Sequence, residues 1–128
     1  MALFGRRRAA TPVELDNLLR EALRQLAEGR IGSARRTLRN VVDDAAVMAP
    51  EHRAWVAPIQ GTALVHIGDI ALAAGGRGDA VTAYRAASGL VRLPPPATRV
   101  LAEDTVHRGD LSAEGCLLYT SPSPRDRS

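Results

Sequence analysis

Lysine is absent from this chain: all 17 of its basic residues are arginine. That excludes every chemistry built on a lysine amine, including the Walker-type phosphate loop, the Schiff base and the pyridoxal phosphate anchor. Aromatic residues make up only 3% of the 128 positions, while alanine, leucine and valine abound. A core must therefore come from small side chains on closely approaching helices rather than from large aromatic anchors. No secretory signal is legible either, because the three arginines of Met1–Arg8 lead into Thr11 and Pro12 instead of an apolar stretch. No run is expected to be long enough to span a bilayer, and the chain is placed in the cytoplasm.

Metal and acid–base chemistry lack their usual spacings. His52, His66 and His107 have neither an i, i+4 partner nor a cysteine beside them, so they are read as surface or packing histidines, and no metal is implied. Asp43-Asp44 and Glu103-Asp104 are adjacent pairs. On a helix such neighbours point about 100° apart and cannot act as an acid/base couple on one substrate, so both pairs are read as solvated faces. Gly75-Gly76-Arg77-Gly78 lies between two helical patterns with no following lysine, which makes it a turn rather than a phosphate cradle. The triplets Arg77-Gly78-Asp79 and Arg108-Gly109-Asp110 are assigned to turns for the same reason, glycine beside an acid at a helix start. The chain is expected to be no enzyme and to need no cofactor. Residues 1–10, with Arg6-Arg7-Arg8, are read as a solvated basic tail.

The last stretch differs in character. Cys116-Leu117-Leu118-Tyr119-Thr120-Ser121-Pro122-Ser123-Pro124-Arg125-Asp126 has no helical period and follows a helical pattern without a cap. It resembles, codon for codon, the translation of a transposon-end sequencing adapter. On that reading residues 116–128 are not native and contribute nothing to the fold, the native chain ends near Glu114 or Gly115, and Cys116, the sole cysteine, supports no redox argument. Without Arg125, Asp126 and Arg127 the balance is 15 arginines against 13 acids, a net +2 instead of +3. Near neutrality disfavours a nucleic-acid binder using Arg6–Arg8 with Arg35, Arg36 and Arg39.

Before that tail the pattern is helical throughout. Thr11-Pro12-Val13-Glu14 is a capping box with proline at the first helical position. Leu15, Leu18, Leu19, Ala22, Leu23 and Leu26 then recur at three- and four-residue steps until Gly29 supplies a left-handed stop. Ser33 is read as the cap of a second helix with the stripe Ala34, Leu38, Val41, Val42 and Ala45, which makes 12–46 a helical hairpin. An extra helical segment, 50–60, carries Trp55 and is expected to end or kink at Pro58. Trp55 is expected to pack between hairpins, near Val56 and Ile59.

A second hairpin occupies 61–94. Ala63, Leu64, Ile67, Ile70, Ala71 and Ala74 line its first helix, and Ala80, Tyr84, Ala87 and Val91 its second, which stops at Pro94-Pro95-Pro96. The turns repeat: Gly29-Arg30-Ile31-Gly32-Ser33-Ala34 matches Gly75-Gly76-Arg77-Gly78-Asp79-Ala80 at both glycines and the alanine, with Leu38 matching Tyr84. A partial third copy, 97–115, opens with Ala97, Val100, Leu101 and Ala102 and has its turn glycine, Gly109, 34 residues after Gly75.

On Leu64, Ile67, Gly68, Gly75, Ala80, Tyr84 and Ala87, residues 61–94 resemble one tetratricopeptide repeat. The first copy departs in spacing, with Gly29 and Gly75 46 residues apart, and Ala71 stands where the family usually has an aromatic. The resemblance implies an all-α fold, antiparallel hairpins stacked as a short α-solenoid over residues 11–115 and truncated in the third repeat. It also implies a protein-interaction scaffold whose concave groove, lined by the first helix of each hairpin, takes a partner peptide or helix. Mapped by position, that groove contains Leu19, Arg20 and Leu23, then Val65, His66 and Asp69, then Arg99 and Glu103. The lysine and asparagine set with which some family members clamp a carboxylate terminus is missing, which favours an apolar or mixed peptide. The alternative is the helical sensor or dimerisation arm of a signalling or transcription regulator. With its third unit incomplete, the chain is expected to leave Ala97, Val100, Leu101 and Thr105 uncovered and to self-associate through that end.

Overall fold

The structure, a computed structural model, describes residues 7–116. Among them it is all-α, with five helices: α1 (Pro12–Ala27), α2 (Ile31–Ala46), α3 (Arg53–Ala73), α4 (Arg77–Ser88) and α5 (Pro95–Cys116), plus a single 3-10 turn at Pro50–His52. The chain divides after Pro94 into two units. In the first, α2 packs on α1, α3 on both, and α4 on α3.

The start of α1 follows from its capping residues. Thr11 Oγ1 accepts from the Glu14 amide at 3.2 Å, and the Glu14 carboxylate accepts from the Ala10 amide at 2.8 Å. Pro12 at the first helical position loses no hydrogen bond there. The end of α1 and the end of α3 are the same device. Gly29 (φ +79°) and Gly75 (φ +86°) occupy the left-handed region, where a Cβ would be strained. The Arg30 amide then reaches Gln25 O at 2.9 Å, and the Gly76 amide reaches Ala71 O at 2.8 Å. Each is a Schellman closure that returns the chain as a second helix. The paired turns continue identically through Arg30 (φ −88°, ψ 70°) and Gly76 (φ −90°, ψ 70°). Ala34 and Ala80 are both fully buried, and Leu38 and Tyr84, fourth in line after them, are buried at 0% and 1% exposure.

The core of this unit joins Leu15, Leu19 and Ala22 of α1 to Leu38, Val41 and Ala45 of α2 and to Val56, Ile59, Ala63 and Ile67 of α3, with Ala83 from α4. Helix α3 is apolar on several sides because it has neighbours on several sides. Its contact with α4 and the residues that follow depends on missing side chains: a Cβ on Gly68 would lie 2.5 Å from Tyr84 Cε1 of α4, and one on Gly61 would lie 2.5 Å from Cγ1 of Val91, just beyond α4. The Tyr84 ring fills the space that Gly68 leaves, and its hydroxyl donates to Asp69 Oδ1 at 2.5 Å.

Several expectations are corrected. Pro58 neither ends the helix nor separates the 50–60 segment from the second hairpin; α3 runs unbroken through it. The proline forgoes the bond to Ala54 O, and because Ala54 and Pro58 are both exposed, water can reach that carbonyl. Ser33 is not the cap of α2, which begins two residues earlier, at Ile31, directly from the Schellman turn. Asp44 is no solvated residue: its side chain is fully buried, accepts from the Ala9 amide at 2.9 Å and lies 3.6 Å from Arg8 Nε. Residues 8 and 9 of the supposed free tail are therefore fastened to α2. Trp55 does not pack between hairpins, being 57% exposed. Together with the preceding turn, α3 also forms a 24-residue helical stretch, Pro50–Ala73, which contains an 18-residue window of mean hydropathy 1.3, 39% of it buried, and is long and apolar enough by length and composition to cross a membrane.

In the second unit α5 is one continuous helix, so Gly109 and the triplet Arg108-Gly109-Asp110 lie within it and form no turn. Ala97 and Val100 are buried, Leu101 is half-buried and Thr105 exposed. Arg77-Gly78-Asp79 is the first helical turn of α4, with Asp79 at the positive end of the helix dipole. Residues 117–128, and with them most of the adapter-like tail, lie outside the described residues.

Candidate functional site

Helical geometry decides which residues can act together. Along α3, Trp55, Pro58, Thr62, His66 and Asp69 follow one another at three- and four-residue steps and form one outward stripe. Trp55, Pro58 and Asp69 are exposed, Thr62 and His66 half-buried. Because α3 passes through Pro58, the tryptophan stands in line with two of the residues mapped from the repeat pattern. Sequence reasoning missed it by ending a helix at the proline. The signal available was the unbroken three-and-four spacing from Trp55 to Asp69.

The mapped residues are not equivalent. Leu19 and Val65 are buried at 7% and 8% exposure, so their side chains serve packing. Leu23 is half-buried against the core. Arg20 is exposed and held by Asp16, 2.9 Å from its Nε. Asp69 is exposed but already accepts the Tyr84 hydroxyl. Arg99 and Glu103 are exposed on α5, in the other unit. Arg20, Leu23, His66 and Asp69 thus remain at the surface of the four-helix unit.

Electrostatics divide the surface further. On α1 the charges are matched within the chain: Arg24 bonds both Glu21 and Glu28, and Arg30 bonds Glu28 at 3.1 Å. The Arg24 hydrogen bond holds the Glu21 carboxyl below its ordinary value, and the Arg30 hydrogen bond does the same for Glu28. Tyr84 moves the other way. Burial, then the hydrogen bond to Asp69, pushes its phenol well above the usual range, so it remains a neutral donor. This pair clamps α4 to α3.

No family model, curated protein or solved structure matches the chain. Its chemistry must be read from its own groups. Among the described residues no cluster of three or more histidine, cysteine, aspartate or glutamate side chains is arranged to hold a metal.

The stripe expected to be the core face of the second hairpin is only partly covered. Ala63 and Ile67 are buried, but Leu64, Ile70 and Ala71 are half-buried and Ala74 is exposed. Leu64, Ile67, Ile70, Ala71 and Ala74 floor an open recess of about 560 Å³ between α2 and α4. The four-helix unit therefore offers two surfaces of different kinds, an aromatic outward stripe and an apolar recess.

Proposed function

We propose that this chain is a protein-interaction scaffold built from tetratricopeptide-like hairpins, and that it binds a partner peptide or helix along the outward stripe of α3, with Arg20 and Leu23 of α1 contributing. The reading rests on Trp55, an exposed tryptophan in helical register with His66 and Asp69. Exposed tryptophans flanked by polar groups are the residues most often found to carry binding energy at protein interfaces, because a rigid amphipathic ring gains much on desolvation at little entropic cost. The scaffold class draws its support from the hairpin built twice, with the same Schellman turn, the same buried alanine and the same large side chain behind it. A repeated unit that cannot bury its own apolar face alone is the signature of a stacking architecture.

Trp55 is the only tryptophan, so it reports directly on its own surroundings. Peptides selected from a random linear library on the purified chain should shift Trp55 emission to shorter wavelength on binding. Trp55→Ala should weaken capture by about 30-fold, the ~2 kcal/mol of an interface anchor. Arg20→Glu and His66→Glu should weaken it as well, while Arg36→Glu, on α2, should not. Equal weakening by all three glutamates would mean nonspecific charge attraction, and the groove reading would be wrong.

A further inference from the structure

Among the described residues Asp44 is the one charged side chain that is fully buried. The inward positions of α2 around it, Leu38, Val41 and Ala45, are apolar, and an apolar side chain at 44 would avoid the cost of taking a carboxylate out of water. The segment before α1, residues 7–10, supplies its contacts. Asp44 divides its oxygens between main chain and side chain: Oδ2 accepts from the Ala9 amide at 2.9 Å, and Oδ1 lies 3.6 Å from Arg8 Nε. Glu14, in the first turn of α1, does the same for the flanking pair. Its Oε1 accepts from the Ala10 amide at 2.8 Å, and its Oε2 lies 4.0 Å from Arg7 Nη2. Two carboxylates, one on each helix of the first hairpin, thus read four consecutive residues: two guanidinium groups, then two main-chain amides. Ala9 packs against the core between them, where only a small side chain is seated.

We infer that Asp44 and Glu14 form a seat for an extended segment of two arginines followed by a small residue, and that residues 7–10 occupy it as an autoinhibitory strap that closes it against a partner chain carrying the same chemistry. The strap specifies the ligand, because its own contacts are the ones a second segment would make: charge-assisted bonds from guanidinium and amide to carboxylate. Its hold is light. The Arg7 and Arg8 side chains are 89% and 63% exposed, and exposed ion pairs contribute little. An open recess of about 380 Å³ remains between the strap and Asn17, Leu18 and Glu21 of α1, so the strap is not packed down along its length. When it lifts, the Asp44 carboxylate regains water, which offsets part of the lost bonding. Such a segment belongs to the low-energy end of local opening. What favours the strap over an identical segment elsewhere is its tether, equivalent to an effective concentration on the order of millimolar. The seat lies on α1 and α2 and does not rest on the α3 stripe.

The test uses the full chain and a fluorescein-labelled peptide, Gly-Arg-Arg-Ala-Ala-Gly, blocked at both ends and followed by anisotropy. In the variant Arg8→Glu/Ala9→Pro the strap carries a charge that Asp44 repels and has lost the amide that Asp44 accepts, while the seat is untouched. If that variant loses its helical melt, Ala9→Pro alone takes its place. The peptide should bind the released chain at least about tenfold more tightly than the unaltered one, the factor by which a strap seated nine-tenths of the time lowers apparent affinity. Peptides with Glu-Glu for Arg-Arg, or with proline as the residue after the arginines, should not bind. In the released chain Asp44→Asn and Glu14→Gln, which keep an acceptor oxygen but not the charge, should both weaken binding, Asp44→Asn the more because its site is dry. Trp55→Ala should leave it unchanged. Four results would overturn the inference: no saturation of the released chain by about the millimolar concentration a tether supplies, equal binding to released and unaltered chains, capture of the Glu-Glu peptide, or binding indifferent to both seat substitutions. Loss of binding on Trp55→Ala would also overturn it, by placing the peptide on the α3 stripe, and would leave the proposed function standing.

Discussion

Replacing Gly68 by alanine should destabilise the protein, although alanine in a helix interior normally stabilises by about 1 kcal/mol relative to glycine. The added methyl would lie 2.5 Å from Tyr84 Cε1 and 2.7 Å from Cδ1, well inside the ~3.5–4.0 Å of an ordinary carbon contact. The ring has little room to yield, being 1% exposed and tied by its hydroxyl to Asp69. Overpacking of this kind costs about 1–3 kcal/mol. At the upper end of that range, which a rigid ring favours, the net loss after the helix-propensity gain is about 1–2 kcal/mol, a fall in Tm of roughly 4–8 °C for each kcal/mol. Gly32→Ala provides the control, because nothing lies within 4 Å of its Cβ position and only the propensity gain applies. Its Tm should rise. In a Tyr84→Leu background, destabilised in itself, the obstruction is gone and Gly68→Ala should become neutral or stabilising. Thermal melts of these variants by circular dichroism decide the matter. If Gly68→Ala raises Tm in the otherwise unaltered chain as Gly32→Ala does, α3 and α4 do not approach at Gly68 and the account of this hairpin fails.

Three other outcomes follow from particular contacts. Asp44→Ala leaves the Ala9 amide without its acceptor and should cost about 1–3 kcal/mol; tryptic cleavage after Arg8 should become faster than in the unaltered chain, and an unchanged rate would show that the segment is not fastened to α2. In a Tyr119→Phe variant Tyr84 is the only tyrosine, and its near-ultraviolet phenolate absorbance should not appear near pH 10, the ordinary value, but at higher pH or on unfolding. Because the native phenol holds its proton more tightly than the unfolded one, the stability it contributes is fully present below the unfolded value and is lost as pH rises through the folded one. Trp55 in the free chain should emit as a solvent-exposed indole and be quenched freely by acrylamide, with Trp55→Ala changing Tm by no more than about 1–2 °C, as surface substitutions do; a shielded, blue-shifted emission would contradict its exposure.

Local signals in the sequence determined the helical class and most boundaries of the first hairpin. Thr11-Pro12-Val13-Glu14 starts α1, and Gly29 and Gly75 end α1 and α3, because capping and left-handed glycines act through neighbouring backbone groups alone. Gly68 and Tyr84 were both legible as positions of the repeat pattern, and the structure brings them together. Other features required the packed structure. Pro58 reads as a break, and only the structure shows that α3 carries it on an exposed side and runs on, which brings Trp55 into register with His66 and Asp69. Asp43 and Asp44 read alike in sequence, yet α2 exposes one and buries the other beneath Arg8 and Ala9. Leu19 and Val65 fit a groove pattern by position, but neighbouring helices bury them, whereas Leu64 and Ile70 fit a core pattern and line an open recess. Periodicity specifies which residues share a face of a helix. Which of those faces another helix covers depends on contacts between residues distant in sequence, and that only the tertiary structure decided.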